Sequence, residues 1–409
     1  MSCILKPELR EKVDRHSLLR DGYVIIRDLL SPGQIEDMRN HIERMVEQRK
    51  TESSLNRKAD EPPGGAWATS PTPRLKFDED YDKGSLGAIE FCLAEETLGA
   101  SSVLLDTSEV SVTYMACICN PEYEHGPAKW HRDTSPPKAA PLEGMLHNYT
   151  DHGPAYLQWN IPLFDDNVFW VVPGSHRRIN TPEEDRQLSD DPAVALPGSI
   201  PVKLKAGDGV VYIHLMLHWG SNYSLTKRRT VHLGYRRFGG DAMSMVHWRH
   251  WEPGFYHYLS DSVRKQFEAW DGLFFQEFDL TAKIFHAIIN KDANSFEARL
   301  HKLHSSPQDR MVGLVMLSKL ASKLYKLKHT SITPALLWGN GWDIVYLGSH
   351  FTASQADELW QRFHTLDEKL KFQDERRAPG FQGRQSEYNP NDMPADFEVE
   401  DFIASWDNT

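Results

Sequence analysis

The residues whose types and spacing point to chemistry are His131 and Asp133, in the run Trp130-His131-Arg132-Asp133, then His218, then the pair Arg228-Arg229. In an extended segment alternate side chains share a side. His131 and Asp133 therefore project together and can bind one metal ion. His218 follows the strand-like run from Val210 to His214 and can bring a third ligand from another part of a sheet. Two imidazoles and one carboxylate on one side leave coordination positions open. That suits Fe(II) that must also take an organic acid and oxygen, whereas structural zinc favours a closed shell of four ligands. A His-x-Asp triplet alone is close to chance in a chain with 19 histidines, so its weight comes from its neighbours. An organic acid that chelates the metal at one end needs a counter-charge at the other, and the planar fork of arginine fits a carboxylate. Arg228 and Arg229 lie ten and eleven residues after His218. Adjacent residues on a strand point to opposite sides, so only one of them can face the metal.

Elements must hold these residues in place. Asp21-Gly22-Tyr23-Val24-Ile25-Ile26 reads as a turn and a short strand. Ser31 and Pro32 then start a helix, with Ile35, Met38, Ile42 and Met45 at helical spacing up to about Lys50. Residues 51–85 are polar and rich in Pro, Gly and charge, and read as a long loop or a mobile segment. From about 103 short alternating runs take over: 110–115, 155–161, 169–172, 202–204, 210–214 and 230–235, separated by Pro173-Gly174-Ser175-His176 and Gly207-Asp208-Gly209. Such punctuation predicts a closed or double-sheet β fold. After about 255 the pattern turns helical, with amphipathic stretches at 263–270, 274–289, 295–303, 311–327 and 355–371. The last thirty or so residues are polar and are expected to wrap or trail.

The bulk properties narrow the options. Apolar residues make up 40% of the 409 and charged residues 25%, which is enough to bury a substantial core. A net charge of −12, with no basic stripe, argues against nucleic acid as a partner. No run of about 18 apolar residues offers a membrane span. The charged N-terminus lacks the apolar stretch of a secretory signal. Four cysteines, Cys3, Cys92, Cys117 and Cys119, are expected as free thiols, and the chain is expected to be cytoplasmic.

Taken in order, several segments resemble the phytanoyl-CoA dioxygenase family, a branch of the iron(II)- and 2-oxoglutarate-dependent oxygenases. They are Asp21-Gly22-Tyr23-Val24 with the following helix, Trp130-His131-Arg132-Asp133, Trp159, Val171 to Arg177, Gly207-Asp208, and His218 with Asn222, Ser224 and Arg228. The resemblance spans about residues 20–240. It implies a mainly β core with added α: a double-stranded β-helix of jelly-roll or cupin type at about 103–240, with N-terminal helices and a C-terminal helical extension. The domains expected are 1–254 for the oxygenase core and 255–409 for the extension. It also implies that His131, Asp133 and His218 hold Fe(II), and that an arginine anchors 2-oxoglutarate as cosubstrate beside O2. Spacing from Asn222 and Ser224 selects Arg228, and spacing from His218 selects Arg229; Arg228 is favoured. Ser221 is a candidate to add a hydroxyl to the same carboxylate, beside its reading as an ordinary turn serine. The family's glycine before the Pro-Gly-Ser-His turn is replaced here by Asp165-Asp166-Asn167.

The expected reaction is hydroxylation of an unactivated C–H bond in a small organic, lipid-like or natural-product substrate, with release of succinate and CO2. Related halogenating enzymes carry a small residue where Asp133 stands, so the carboxylate argues for oxygenation. Two rivals remain: a non-catalytic metal-binding scaffold on the same fold, and a metal-dependent hydrolase on a cupin-like barrel. His176 reads as a turn residue and not as a ligand. A second metal site at His247, His250 and His257 is not expected. Trp130, Trp159, Trp170 and Trp219 read mainly as core, and only one of Gln158 and Trp159 can face inward. Three roles are open to the extension: capping the barrel, forming a homodimer interface, or docking a carrier-bound substrate.

Overall fold

The computed structural model describes residues 5–79, 86–135, 138–238, 249–303, 306–337, 341–376, 379–381 and 386–408. The chain divides into two compact units. One comprises Met1–Asp133, Tyr156–Arg237 and Trp251–Phe267. The other comprises Thr134–Ala155, Phe238–His250 and Glu268–Thr409.

The first unit carries two antiparallel sheets. Strands are β1 (Tyr23–Ile26), β2 (Arg74–Lys76), β3 (Val110–Cys119), β4 (Tyr156–Pro162), β5 (Phe169–Val171), β6 (Ile200–Pro201), β7 (Gly209–Tyr212), β8 (His218–Gly220) and β9 (Arg229–Arg237). The larger sheet has the order β1-β7-β4-β9-β3-β2, and the smaller the order β6-β5-β8. An antiparallel bridge between His131 and His218 adds the ligand-bearing segment to the edge of the smaller sheet. The inner faces meet in one apolar cluster, with Phe169 and Val171 from the smaller sheet against Val210 and Tyr212 from the larger. The outer side of the smaller sheet is covered by another cluster, Trp130, Val172, Leu188, Leu196, Leu217 and Trp219. Trp130 and Trp219 stack there at 5.3 Å, so these two tryptophans are core.

The helix from Pro32 to Leu55 starts where Ser31 and Pro32 predict. Ser31 accepts from the Gln34 N–H while the Gln34 side chain returns to the Ser31 backbone, so two otherwise orphaned donors are satisfied. It runs five residues past the expected end, and residues 51–85 are not one long loop. A short helix at Gly65–Thr69 and β2 lie within them. β2 has three residues, Arg-Leu-Lys, too few to show a period. The run 202–204 forms no strand of its own; Leu204 makes only an isolated bridge to Asp166.

The second unit is helical. Pro307–His329 buries most of its middle and packs against Leu142–His152 and Ala353–Lys369. The stretches 263–270 and 274–289 are one helix, Asp261–Ile289: Gly272 lies inside it and does not break it. The tail does not trail. A hairpin of β10 (Lys371–Arg376) and β11 (Ser386–Tyr388) is followed by a short helix, Val399–Ala404. Phe402 lies 4.8 Å from Phe363 and 5.7 Å from Phe296, ring to ring. With helices in both units, about half of the described residues are helical, so among them the added α outweighs the β core in residue number.

Candidate metal centre

The two histidines are held by each other's backbone. The His131 N–H donates to the His218 carbonyl at 3.0 Å, and the His218 N–H returns the bond at 3.0 Å. Asp133 is fixed two residues on, where its N–H donates to the His214 carbonyl at 2.9 Å. Arg132, between the ligand candidates, points away into the protein and donates to the carbonyls of Ser175 and Leu215 and to Asn180. This alternation sends His131 and Asp133 to the same side, as the sequence predicts.

Ring tautomers follow from the main chain. Nδ1 of His131 lies 2.8 Å from the Lys129 carbonyl, and Nδ1 of His218 lies 3.0 Å from the Met216 carbonyl. A carbonyl only accepts, so each Nδ1 carries the proton and each Nε2 is left with its lone pair. These Nε2 atoms turn to the Asp133 carboxylate, at 3.5 Å for His131 and 3.3 Å for His218. The candidate ligand atoms all lie within 4.8 Å of one another. With the rings neutral, three electron-pair donors converge, which is what a cation requires. Ligands at about 2.1 Å on neighbouring vertices of a metal sit roughly 3 Å apart, so the fit is close. Side-chain exposures of 18% for His131 and 19% for Asp133, against 6% for His218, show that the centre opens on one side.

Electrostatics keep the donors ready. Burial and the neighbouring His218 push His131 down to about 4, so its imidazole is neutral near pH 7. Burial works to raise the Asp133 carboxyl. The neighbouring His218 and His131 rings and the bond from Gln158 prevail and hold it well below the usual carboxylate range. Gln158 donates from Nε2 to Asp133 Oδ2 at 2.8 Å. Trp159 faces the other way and donates to Ser101.

Gln158 thereby marks the metal-facing side of the larger sheet, since residues opposite one another in register share a side. Gln158 is opposite Gly234, Asn160 opposite His232 and Pro162 opposite Thr230. On the next strand Tyr114, Ala116 and Ile118 continue these rows, and Arg74 lies opposite Ile118. Arg228 is two residues before Thr230 and follows the same side. Its Nε and the Thr230 hydroxyl donate to one oxygen of Asp166, at 2.7 and 2.8 Å. Arg228 also lines a cavity of about 270 Å³, together with Asn120, Asp166, Tyr223 and Thr226. Arg229 points to the opposite side, where its Nε lies 3.0 Å from Glu43 of the helix Pro32–Leu55. The two arginines are thus separated by the sheet.

The remaining candidates are placed as follows. The Ser221 N–H continues the ladder by donating to Val168. Alternation from His218 puts its side chain with Trp219 on the outer side, so Ser221 is not brought to Arg228. His176 is buried and its Nε2 lies 3.1 Å from the Leu19 carbonyl, away from the centre. Among the described residues the group of His131, Asp133 and His218 is the one metal-ligating cluster; His247 lies outside them. Cys92, Cys117 and Cys119 are buried free thiols, and Cys3 lies outside the described residues.

Sequence reasoning missed several residues of this side. Arg74 comes from the short β2 and bonds Tyr114. Tyr114 packs edge-on against His232, which is joined to Asn160 at 2.8 Å. The Tyr223 ring lies 5.8 Å from the Arg228 guanidinium. Asp166 had left a signal, as the departure from the family pattern before the Pro-Gly-Ser-His turn.

Residues 18–231 match the profile of the family Phytanoyl-CoA dioxygenase (PhyH). No curated protein matches the chain in sequence. Similar solved structures include AviO1 from Streptomyces viridochromogenes Tue57, at 21% identity and TM-score 0.39, covering 56% of this chain and 94% of that one. The non-heme alpha ketoglutarate dependent epimerase SnoN from nogalamycin biosynthesis matches at 17% identity and TM-score 0.38, covering 56% and 81%. EctD from S. alaskensis, with 2-oxoglutarate and 5-hydroxyectoine, matches at 15% identity and TM-score 0.39, covering 55% and 74%. No helix among the described residues is long and apolar enough to cross a membrane.

Proposed function

Because the chain belongs to the phytanoyl-CoA dioxygenase family of iron(II)- and 2-oxoglutarate-dependent oxygenases, we propose that His131, Asp133 and His218 hold its iron and that Arg228 holds the far carboxylate of 2-oxoglutarate. The protein is an enzyme of this dioxygenase type, with iron as cofactor and 2-oxoglutarate and O2 as cosubstrates. The two antiparallel sheets are read as the halves of a double-stranded β-helix. The reaction is read as hydroxylation of an unactivated C–H bond in a small organic or lipid-like molecule.

One observation carries the reading. Two imidazole lone pairs and a carboxylate converge, with both ring protons already committed to carbonyls. When bound, iron with 2-oxoglutarate and O2 supplies the oxidant that breaks the C–H bond, with succinate and CO2 released. The chain's own contribution is fixed beforehand. The main chain sets both tautomers, Gln158 orients the Asp133 carboxylate, and the register puts Arg228 on the metal side. The apolar cluster of Phe169, Val171, Val210 and Tyr212 lines the interior between the sheets with groups that exclude water.

The test is iron content together with succinate release. Wild-type protein is expected to bind one iron and to convert 2-oxoglutarate to succinate only with iron and oxygen present. His131→Ala is expected to lose both. A His131→Ala protein that kept wild-type iron and wild-type 2-oxoglutarate consumption would overturn the assignment. Iron binding without succinate release from the wild type, across a panel of small organic and lipid-like substrates, would favour a scaffold. Turnover of a hydrolysable substrate without oxygen would favour a hydrolase.

A further inference from the structure

The departure at Asp165-Asp166-Asn167 puts a carboxylate directly on Arg228. Asp166 is buried, and both its oxygens are engaged. Oδ2 accepts from Arg228 Nε at 2.7 Å and from the Thr230 hydroxyl at 2.8 Å. Oδ1 accepts from the Val168 N–H at 2.8 Å. The main chain of Asp166 is pinned as well, giving and taking a bond with Leu204 at 2.9 Å each. This carboxylate has almost no freedom left, and it is held from three elements: the turn before β5, the segment after β6, and β9.

It meets the guanidinium at one place. Among the described residues the Arg228 side chain has a hydrogen-bond partner at Nε and none at its two terminal nitrogens, although the side chain is only 11% exposed. A buried guanidinium with one edge gripped and its fork open beside a cavity is a half-filled site. A full carboxylate pair normally uses two parallel N–H bonds from arginine, and here the protein has left such a pair for something else. Arginine otherwise carries substantial rotamer freedom, and ordering it at the moment of binding weakens binding.

We infer that Asp166 is a positioning residue for the cosubstrate: it grips Arg228 by the Nε edge and aims the two terminal nitrogens into the cavity, ready for a carboxylate. The inference rests on the proposed role of Arg228. Thr230 and the Val168 N–H keep Asp166 itself from swinging into the space that the incoming carboxylate needs. The same carboxylate balances the arginine's charge while the cavity is empty, so that Arg228 is not buried unpaired. Glycine at this position would take away the acceptor that holds the Arg228 Nε edge. The sequence departure is therefore a local solution to the aim of the arginine.

The test measures 2-oxoglutarate binding to the iron-loaded protein without oxygen, by calorimetry, beside turnover. Asp166→Ala is expected to weaken binding by about 10-fold or more, a loss of the order of one ordered, charge-assisted bond. Iron binding is expected to stay unchanged, and KM for 2-oxoglutarate is expected to rise more than kcat falls. Arg228→Lys has no fork to aim, so it is expected to cost much in the wild type and little more once Asp166 is alanine. Independent, additive effects of the two substitutions would overturn the inference, and so would unchanged or tighter binding by Asp166→Ala. Should Asp166→Ala fail to fold, Thr230→Val removes one donor from the same oxygen. It is expected to weaken binding about 2- to 5-fold, and no weakening would overturn the inference. Arg228→Gln separates the two ideas. If it leaves 2-oxoglutarate binding intact, the role of Arg228 fails. If it abolishes binding while Asp166→Ala does not weaken it, only the role of Asp166 fails.

Discussion

Gln158 of β4 holds one oxygen of Asp133, and through it the carboxylate is aimed before any metal arrives. Partners of this kind are worth about 10- to 100-fold in metal affinity. Gln158→Ala is therefore expected to lower iron affinity by that order without unfolding the protein, as read by a competitive chelator titration. The arginine pair separates in the same way. Arg228→Gln is expected to raise the KM for 2-oxoglutarate by about 10-fold or more. Arg229→Ala is expected to spare that KM and to cost roughly 1–2 kcal/mol of stability by loosening Glu43, measured by urea unfolding. At this scale the sequence was informative where chemistry follows local spacing: His131-x-Asp133 share a side because a strand alternates. It was equivocal for Arg228 and Arg229, because the choice depends on register with Thr230 and Pro162, which belongs to strand pairing. It was silent on Arg74 and Tyr223, whose neighbours are far away in the chain.

The elements that carry these residues lean on a few local devices. Gly22 closes the first turn with φ +88°, a conformation that other residues adopt at a cost of about 1–2 kcal/mol. A Cβ there would also collide with the ring of buried His176. Gly22→Ala is expected to lower the melting temperature and to free His176, whereas Ser31→Ala, which removes a helix cap, is expected to cost only about 1 kcal/mol. Thermal unfolding of the two variants side by side checks the order. The longer strands and the capped helix were legible, because alternation and capping are local. β2 and β6 were not, because two or three residues cannot show a period. The helix Pro182–Asp190 has a Thr-Pro-Glu-Glu start with a full capping box, a legible signal that was passed over within a polar stretch.

Over the whole molecule, three histidines outside the ligand set, His176, His214 and His232, are buried or half-buried. Burial pushes His176 and His214 down to about 4, and burial with the nearby Arg74 charge pushes His232 down to about 3. Each is depressed below its unfolded value of about 6.5. Their contribution is fully present above that pH and is lost as pH falls towards the folded values, because the unfolded chain takes up the protons first. Each histidine adds a slope of at most about 1.4 kcal/mol per pH unit in that window. Urea midpoints of the iron-free protein are expected to fall steadily between pH 6.5 and 4; a flat profile would contradict the burial of these rings. In the helical unit Phe402 anchors the tail, and Phe402→Ala is expected to cost about 3–5 kcal/mol in the unfolding of that unit. The reciprocal backbone bonds of His131 and His218 bring one more consequence. A metal bound to both rings acts as a removable cross-link between segments far apart in the chain, much as a disulfide would. Any ligand that binds only the folded form holds it there in proportion to its supply. Iron would then set the lifetime of the protein as well as its turnover, and chelated samples should be cut by a protease sooner than loaded ones.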